Sequence, residues 1–431
     1  MTTERPLGAS HVAAVVIGAI IGVGIFFTPG TLARALPSPS WVLGIWILGG
    51  VASLAGALVF ADLGAKWPRA GGVYVFLREG WEGSPGKLLS FLYGFLQLVV
   101  VQPGAMAVIA LVLVDNATFV TGPVSPVARS ACACLAIATF TGTNLLGLRA
   151  GGRIQLGVAA AKIGALGLLV VLALVFGRAG HVVAPPVTAP SSAGWFSWLL
   201  FGLIPVLFTF GGAYHGTFIA GAVRDPEKSV PRGIVLGVAV VLVAYLGVNV
   251  AYLALLGQTG LAASTSPAAD AVAIAAGPVA AKVVAVAIVI SAGGILNTIC
   301  LGFPFVVYAM AQDGVFFARA GRLDPRTGRP AFAVALQGAL ACLAVIVGAS
   351  RIDVLLTGIA FADAVFHAAV AIIHLRHRAR WRLAAIAFLI VEIGVGVGCL
   401  VRAPLESSYG AGALAAGVIL WLAWRRGWAK S

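Results

Sequence analysis

Few side chains in this sequence can do chemistry, and most of them lie where water is scarce. Lys162 interrupts "GVAAAKIGALGLLVV", Asp363 and His367 stand four apart in "GIAFADAVFHAAV", and His215 and Glu392 interrupt two other apolar runs. An ionisable group at membrane depth is costly and marks a functional position by default. An ammonium there can hold backbone carbonyls or carry a proton. A carboxylate and an imidazole at i, i+4 share one helix face and can relay a proton or simply share a structural hydrogen bond. His215 can touch a ligand or cap a half-helix, Glu392 reads as a contact to another helix or subunit, and Asp62 as a partner for nearby basic groups. The reactive patterns that are missing narrow the field: there is no His-Glu-x-x-His, no Gly-x-Ser-x-Gly and no Gly-x-x-x-x-Gly-Lys-Ser/Thr. The residues therefore predict no enzyme, no metal, no cofactor and no ATP-driven motor. The five cysteines, Cys132, Cys134, Cys300, Cys342 and Cys399, have no Cys-x-x-Cys pair and read as small packing residues.

These groups need elements to hold them. Hydrophobic residues make up 61% and charged residues 10% of 431 positions, and the mean hydropathy is +1.04, which excludes a soluble single-core domain. Twelve apolar runs of spanning length follow, at roughly 11–35, 41–65, 88–114, 127–147, 154–177, 195–220, 231–256, 280–310, 331–349, 354–375, 383–401 and 409–424. The formal charge of +14 is dispersed among the connections, so it argues for topology and not for nucleic acid. With the N-terminus inside, 21 of the 28 basic residues fall on the cytoplasmic side, so the positive-inside rule predicts both termini in the cytoplasm. "ARA" at Ala33 to Ala35 resembles a signal cleavage site, but the run before it is too long, and no cleavage is expected. The longest connection, Arg178 to Gly194, is too short for an extramembrane domain, which leaves function inside the bilayer.

The backbone supplies the second kind of chemistry. In "GAIIGVGIFFTPG", Gly18, Gly22, Gly24, Pro29 and Gly30 weaken the first run beyond what close helix packing requires. Irregular backbone at this depth survives only where it is buried in protein or lines a cavity. A second interruption, "PVLFTFGGAYHG", falls in the sixth run, at Pro205 to Gly216. Paired interruptions opening each half of a ten-helix core point to an inverted-repeat transporter with its ligand between the broken helices. The predicted architecture is an all-α polytopic membrane protein with one domain over 1–430. A first repeat spans 8–178 (helices 1–5), a second spans 195–376 (helices 6–10), and helices 11–12 occupy 381–426.

Gly18 to Gly30 resembles the first-helix motif G-x-I-I-G-S/T-G-I-F-x-x-P-G of the amino acid-polyamine-organocation (APC) superfamily. Four further segments agree in order: "FADLGAKWPRAGGVYVFLREG", "NLLGLRAGGRIQ" with Lys162 beyond it, "VRDPEKSVPRGI" and "YAMAQDGVFF…DPRTGRP". The resemblance covers residues 8 to 375 and points to bacterial L-amino acid permeases with a leucine-transporter-like 5+5 core. It implies secondary transport of amino acids across the cytoplasmic membrane by alternating access, as proton-coupled symport or as exchange. A zwitterion would place its carboxylate on N–H groups at Ile21, Gly22, Val23 and Gly24, and its ammonium on carbonyls at Phe208, Thr209 and Phe210. Ile25, Phe210, Gly211, Ala213 and Tyr214, with Gln102 and Pro103, would read the side chain. Lys162 would occupy the place of a sodium ion in sodium-coupled relatives and tie Gly18 and Ile21 to Ser291 and its neighbours, coupling its protonation to transport. Asp363 and His367 are candidates for a proton relay.

Departures from the pattern matter too. An acidic pair usual in the sixth helix is replaced by Gly221 and Ala222, and an arginine usual in the eighth by Phe305, so the cytoplasmic gate differs. Where relatives carry Ser or Thr, Val23 removes a hydroxyl. Animal relatives tether an ancillary glycoprotein through a cysteine after the third span; "TGPVSPVARS" has none, so no heavy-chain partner is expected. A transport-inactive amino acid sensor and a transporter of amines or other small organic cations remain as alternatives, the latter disfavoured because Gly18 to Gly30 holds no carboxylate.

Overall fold

The computed structural model describes residues 6–22, 24–176, 195–264, 267–277, 279–348, 352–377, 380–402 and 404–428. Val23 and the connection 178–194 lie outside them. The described residues are almost wholly helical: α1 (Ala9–Ile20), α2 (Gly24–Ala35), α3 (Pro39–Lys66), α4 (Val73–Gly80), α5 (Ser84–Leu96), α6 (Gln102–Thr121), α7 (Pro126–Leu145), α8 (Leu148–Phe176) and α9 (Trp195–Thr209). There follow α10 (His215–Phe218), α11 (Pro226–Ala263), α12 (Pro267–Ala276), α13 (Val279–Gly302), α14 (Pro304–Gln312), α15 (Ala331–Gly348), α16 (Ile352–Arg376), α17 (Arg382–Arg402) and α18 (Pro404–Trp428). Among the described residues six stretches are long and apolar enough to cross a bilayer on their own, namely Pro39–Lys66, Ser84–Thr118, Gly152–Phe176, Pro226–Ala263, Val286–Gln312 and Arg382–Val401. The apolar run 11–35 is two helices instead of one, and the run 195–220 breaks after Thr209. The connections hold two helices that hydropathy did not announce, α4 and α12.

The first half-helix is the hub of the packing. It lies against α8, α11 and α13, and small residues let it come close. A Cβ on Gly233 would stand 2.7 Å from the Ala9 carbonyl, and one on Gly237 would stand 2.8 Å from the Val16 Cβ. The Gly-x-x-x-Gly pair of α11 is therefore the groove that seats α1. A short parallel bridge between Leu7 and Val223 joins the chain before α1 to the chain after the second break, with Arg224 N–H donating to the Leu7 carbonyl at 2.8 Å.

The interruption between α13 and α14 shows how one proline sets a distant side chain. Pro304 has no N–H to give the Cys300 carbonyl four residues earlier. Arg329, wholly buried, donates instead to the carbonyls of Cys300 (2.5 Å) and Leu301 (2.8 Å), and lies over the Phe305 ring at 5.4 Å. Arg329 is thus not the solvated loop charge that its "DPRTGRP" setting suggests, because an unpaired carbonyl claims it. The loop that delivers it is closed by Asp324, whose carboxylate accepts the N–H groups of Arg326 and Thr327 at 2.8 and 2.9 Å. Those two donors hold its carboxyl below the usual carboxylate range. Replacing Arg329 by Met is expected to destabilise the protein by about 2–4 kcal/mol, since a buried carbonyl loses a charged donor. Adding Pro304→Ala, which restores an N–H, should recover part of that loss in thermal unfolding of the purified protein.

Candidate functional site

The first break follows from residues that cannot continue a helix. Ile21, at φ −70° and ψ 91°, leaves the helical region at the end of α1, and α2 starts again at Gly24. A helix end leaves its last carbonyls without partners, and in a low-dielectric interior each must be supplied. Side chains from three helices supply them here. Lys162 of α8, 3% exposed, donates to the Gly18 carbonyl at 3.0 Å and also to the Ile21 carbonyl. Tyr245 of α11 donates to Ile20 at 2.8 Å, and Ser291 of α13 to Ile21 at 3.3 Å. A second tier lies one turn earlier: Gln155 donates to the Ala14 carbonyl at 2.9 Å and accepts from Asn297, which in turn accepts from Asn144.

Glycine makes the room for these side chains. A Cβ on Gly294 would stand 2.9 Å from Lys162 Cε, and one on Gly18 would overlap the Gln155 amide. Gly22 faces Ile295, 3.0 Å from where a Cβ would lie.

The second break comes at the end of α9. Phe210 N–H still reaches the Val206 carbonyl at 2.9 Å, and Gly211 N–H then turns to Phe208 at 3.0 Å. Gly212 has φ +119°, a conformation reserved for glycine, and a Cβ there would stand 2.9 Å from that of Ala19. The two breaks meet at this point. Thr28 and Thr209 share a hydrogen bond of 2.9 Å, and a Cβ on Gly24 would stand 2.7 Å from Thr209 Oγ1. The N–H end of α2 therefore abuts the carbonyl end of α9, and the two helix dipoles present opposite partial charges across a short gap.

Of the residues singled out by sequence, Ile21, Ile25, Thr209, Phe210, Ala213 and Tyr214 are buried around this junction, with Gly22, Gly24 and Gly211 in the backbone of the breaks. Phe210 is wedged between Trp46 and Tyr245, with ring centroids 5.9 and 5.1 Å away. Phe208 takes part through its backbone only: its carbonyl accepts the Gly211 N–H at 3.0 Å, and its side chain, 46% exposed, points outward. With Ile21, Ile25 and Phe210 at 2% exposure or less, the junction is closed to solvent. A cavity of about 390 Å³ lined by Ser40, Trp41, Gly44, Ile45, Leu48 and Leu199 lies away from it, between α3 and α9.

Asp363 and His367 lie on another side of the second break. A π turn at Gln97–Val101 places Gln97 and Gln102 in register. Gln102 donates to Gln97 at 2.7 Å, and Gln97 to Asp363 at 2.8 Å. The Tyr214 ring packs against His367 with ring centroids 4.9 Å apart, which brings the second break against this group. His367 Nδ1 lies 3.3 Å from Glu392 of α17. Sequence reasoning gave Glu392 a contact to another helix without naming His367 as the partner, and missed the roles of Tyr245, Gln155 and Gln97. A signal for the partner existed: Glu392 follows Arg380 by twelve residues and His367 precedes Arg380 by thirteen, so an antiparallel hairpin of α16 and α17 puts both at one depth. Asp62 accepts from His374 at 3.0 Å near the end of α3. Among the described residues no group of three His, Cys, Asp or Glu side chains could hold a metal ion.

The serine/threonine exchanger SteT of Bacillus subtilis is 27% identical over 352 residues, covering 80% of this chain and 77% of its own. The b(0,+)-type amino acid transporter 1 of Mus musculus is 27% identical over 352 residues, 80% of this chain and 70% of that protein. The cystine/glutamate transporter of Homo sapiens is 27% identical over a shorter 245 residues, 56% of this chain and 48% of its own. Residues 7–419 match the amino acid permease family, and with a match over nearly the whole length the chain belongs to that family of the APC superfamily, as a multi-pass membrane protein.

Proposed function

We propose that the protein is a secondary transporter that moves amino acids across the cytoplasmic membrane by alternating access. The observation that carries this reading is the junction of the two breaks, where α2 and α9 present opposite backbone ends to each other and Lys162 holds the end of α1. A zwitterion matches that polarity: carboxylate to the N–H groups around Gly22, Val23 and Gly24, ammonium to the carbonyls around Thr209 and Phe210. Ile25, Phe210, Ala213 and Tyr214 then bound the side chain. The closed junction is an occluded state in this reading, and entry requires α2 and α9 to part at the Thr28–Thr209 contact.

The frame for that motion is the twelve-span arrangement, with repeats at 8–178 and 195–376, helices 11–12 at 381–426 and both termini in the cytoplasm. Lys162 sits where its hydrogen bonds are made or lost as α1 tilts, which makes it the coupling residue with Gly18 and Ser291. The similarity to a serine/threonine exchanger favours exchange and a small substrate, while a buried ammonium favours proton coupling.

Uptake of labelled L-serine, L-threonine and larger L-amino acids into proteoliposomes separates these modes. Uptake that requires internal amino acid indicates exchange, and accumulation driven by an inward proton gradient indicates symport. Binding without uptake in any format would replace the transporter reading with a sensor. Lys162→Met is expected to lower the transport rate at least about tenfold while the protein still purifies as a monodisperse species, because losing one charged hydrogen bond of roughly 1.5–3 kcal/mol at the hub is enough for that. Gly24→Val should raise KM by a similar factor through overlap with Thr209, and Thr209→Ala in the same chain should restore part of it.

A further inference from the structure

We propose that Asp363, His367 and Glu392 form a proton-binding site wired to the second break through Tyr214, so that rearrangement of the break and occupancy of the site by a proton are linked. The proposal rests on the transporter reading above and adds to it a site that includes α17, a helix outside the two proposed repeats.

The geometry is that of a charge-deficient network. Two carboxylates flank one imidazole: Asp363 one helical turn away on α16, and Glu392 at 3.3 Å on α17. The surroundings are aromatic. Phe60 of α3 and Phe388 of α17 lie 5.5 and 6.1 Å from the imidazole centroid, and the Tyr214 ring 4.9 Å from it. No lysine or arginine faces the group among the described residues. The titratable groups that do face it are Tyr93 of α5, Tyr214 and His215 of the second break, and Glu392 of α17. His367 and Glu392 are 12% and 13% exposed, and with no proton the trio carries two negative charges beside an apolar wall, which desolvation disfavours. With one proton it carries a single negative charge, and with two it is neutral. A network that desolvation favours in its protonated forms is suited by its composition to bind a proton.

Its second feature is unused hydrogen-bonding capacity. His367 Nε2, the hydroxyl of Tyr93 and Nδ1 of His215 are all buried without a partner, and Tyr93 is 0% exposed. Buried polar atoms normally find partners, so these orphans mark positions where a protonation change or a shift of the break creates new bonds.

The connection to the ligand region is direct. Tyr214 lays its ring against the His367 imidazole, centroids 4.9 Å apart, and begins the short helix after Gly212, so movement of the second break changes the wall around His367. On the other side, Gln97 and Gln102 hold Asp363 from the π turn between α5 and α6. When the Tyr214 ring moves away, the imidazole becomes more accessible to water and its charged form is less desolvated. Glu392 then receives or releases that proton through His367, with no atoms exchanged besides the proton.

The test has two arms. Infrared difference spectra of the full chain in lipid, stepped from about pH 5 to pH 8 across the histidine range, should show a protonated carboxyl C=O band that titrates. Asp363→Asn and Glu392→Gln should each remove or shift that band, Tyr214→Leu, which removes the ring against His367, should move its midpoint, and Asp62→Asn should leave it in place. Absence of a titrating band in the wild type, or its survival unchanged in both carboxylate variants, overturns the proposal. In proteoliposomes, L-serine flux should vary with pH in the wild type, and His367→Gln should flatten that profile without a matching rise in KM. An unchanged profile in His367→Gln also overturns it. If the wild type moves none of the tested amino acids, the transporter reading fails, while the infrared arm still decides the proton site.

Discussion

Carbonyls that a helix cannot satisfy are the constraint from which the rest of this structure follows. When α1 stops at Ile20, the carbonyls of Gly18, Ile20 and Ile21 are left in a medium without water, and three helices are arranged to bring donors to them. Lys162, Tyr245 and Ser291 come from α8, α11 and α13, so the broken helix ties its neighbours together through its own unpaired backbone. Gly233, Gly237 and Gly294 are consequences of that demand, since α11 and α13 must approach closely for short side chains to reach. A continuous first helix would need none of these residues and would offer no backbone groups to a ligand.

The same logic operates where the sequence departs from its relatives. Phe305 stands in place of an arginine, yet a guanidinium still lies beside that position, delivered from the "DPRTGRP" loop as Arg329. It answers the Cys300 carbonyl that Pro304 orphans, not an acidic pair, and a Cβ on Gly221 would stand 3.0 Å from that of Ala70. The positive charge at this end of the molecule serves the backbone.

What the sequence made legible was what depends on local composition. Glycine and proline density marked both breaks, and the depth of Lys162 marked an intramembrane ammonium, because helix propensity and hydropathy are properties of short windows. The partners were not legible. Tyr245 lies 225 residues from the carbonyl it serves, and a tyrosine in an apolar helix carries no sign of where its hydroxyl points. Arg329 read as a loop charge since nothing local records that Pro304 leaves Cys300 without a donor. Phe208 read as a site residue through its carbonyl, and nothing local recorded that the Gly211 N–H would turn to that oxygen. The helices α4 and α12 escaped notice because amphipathic or short segments vanish when only long apolar runs are sought.

The two breaks differ in the kind of ionisable group each faces, and this asymmetry bears on coupling. Lys162 meets the first break with a cation that binds backbone carbonyls, so it acts on the shape of the chain directly. His367 meets the second through the ring of Tyr214, centroids 4.9 Å apart, and stands between Asp363 and Glu392. Both breaks meet at Thr28 and Thr209, so movement of either one strains or breaks the contact with the other. In the proposed mechanism a proton bound on either side is felt at the same junction, once as a change in what holds α1 and once as a change in what surrounds Tyr214. Because Glu392 stands on α17, the packing of α16 against that helix enters the balance as well, and the proposal thereby includes a helix beyond the proposed repeats.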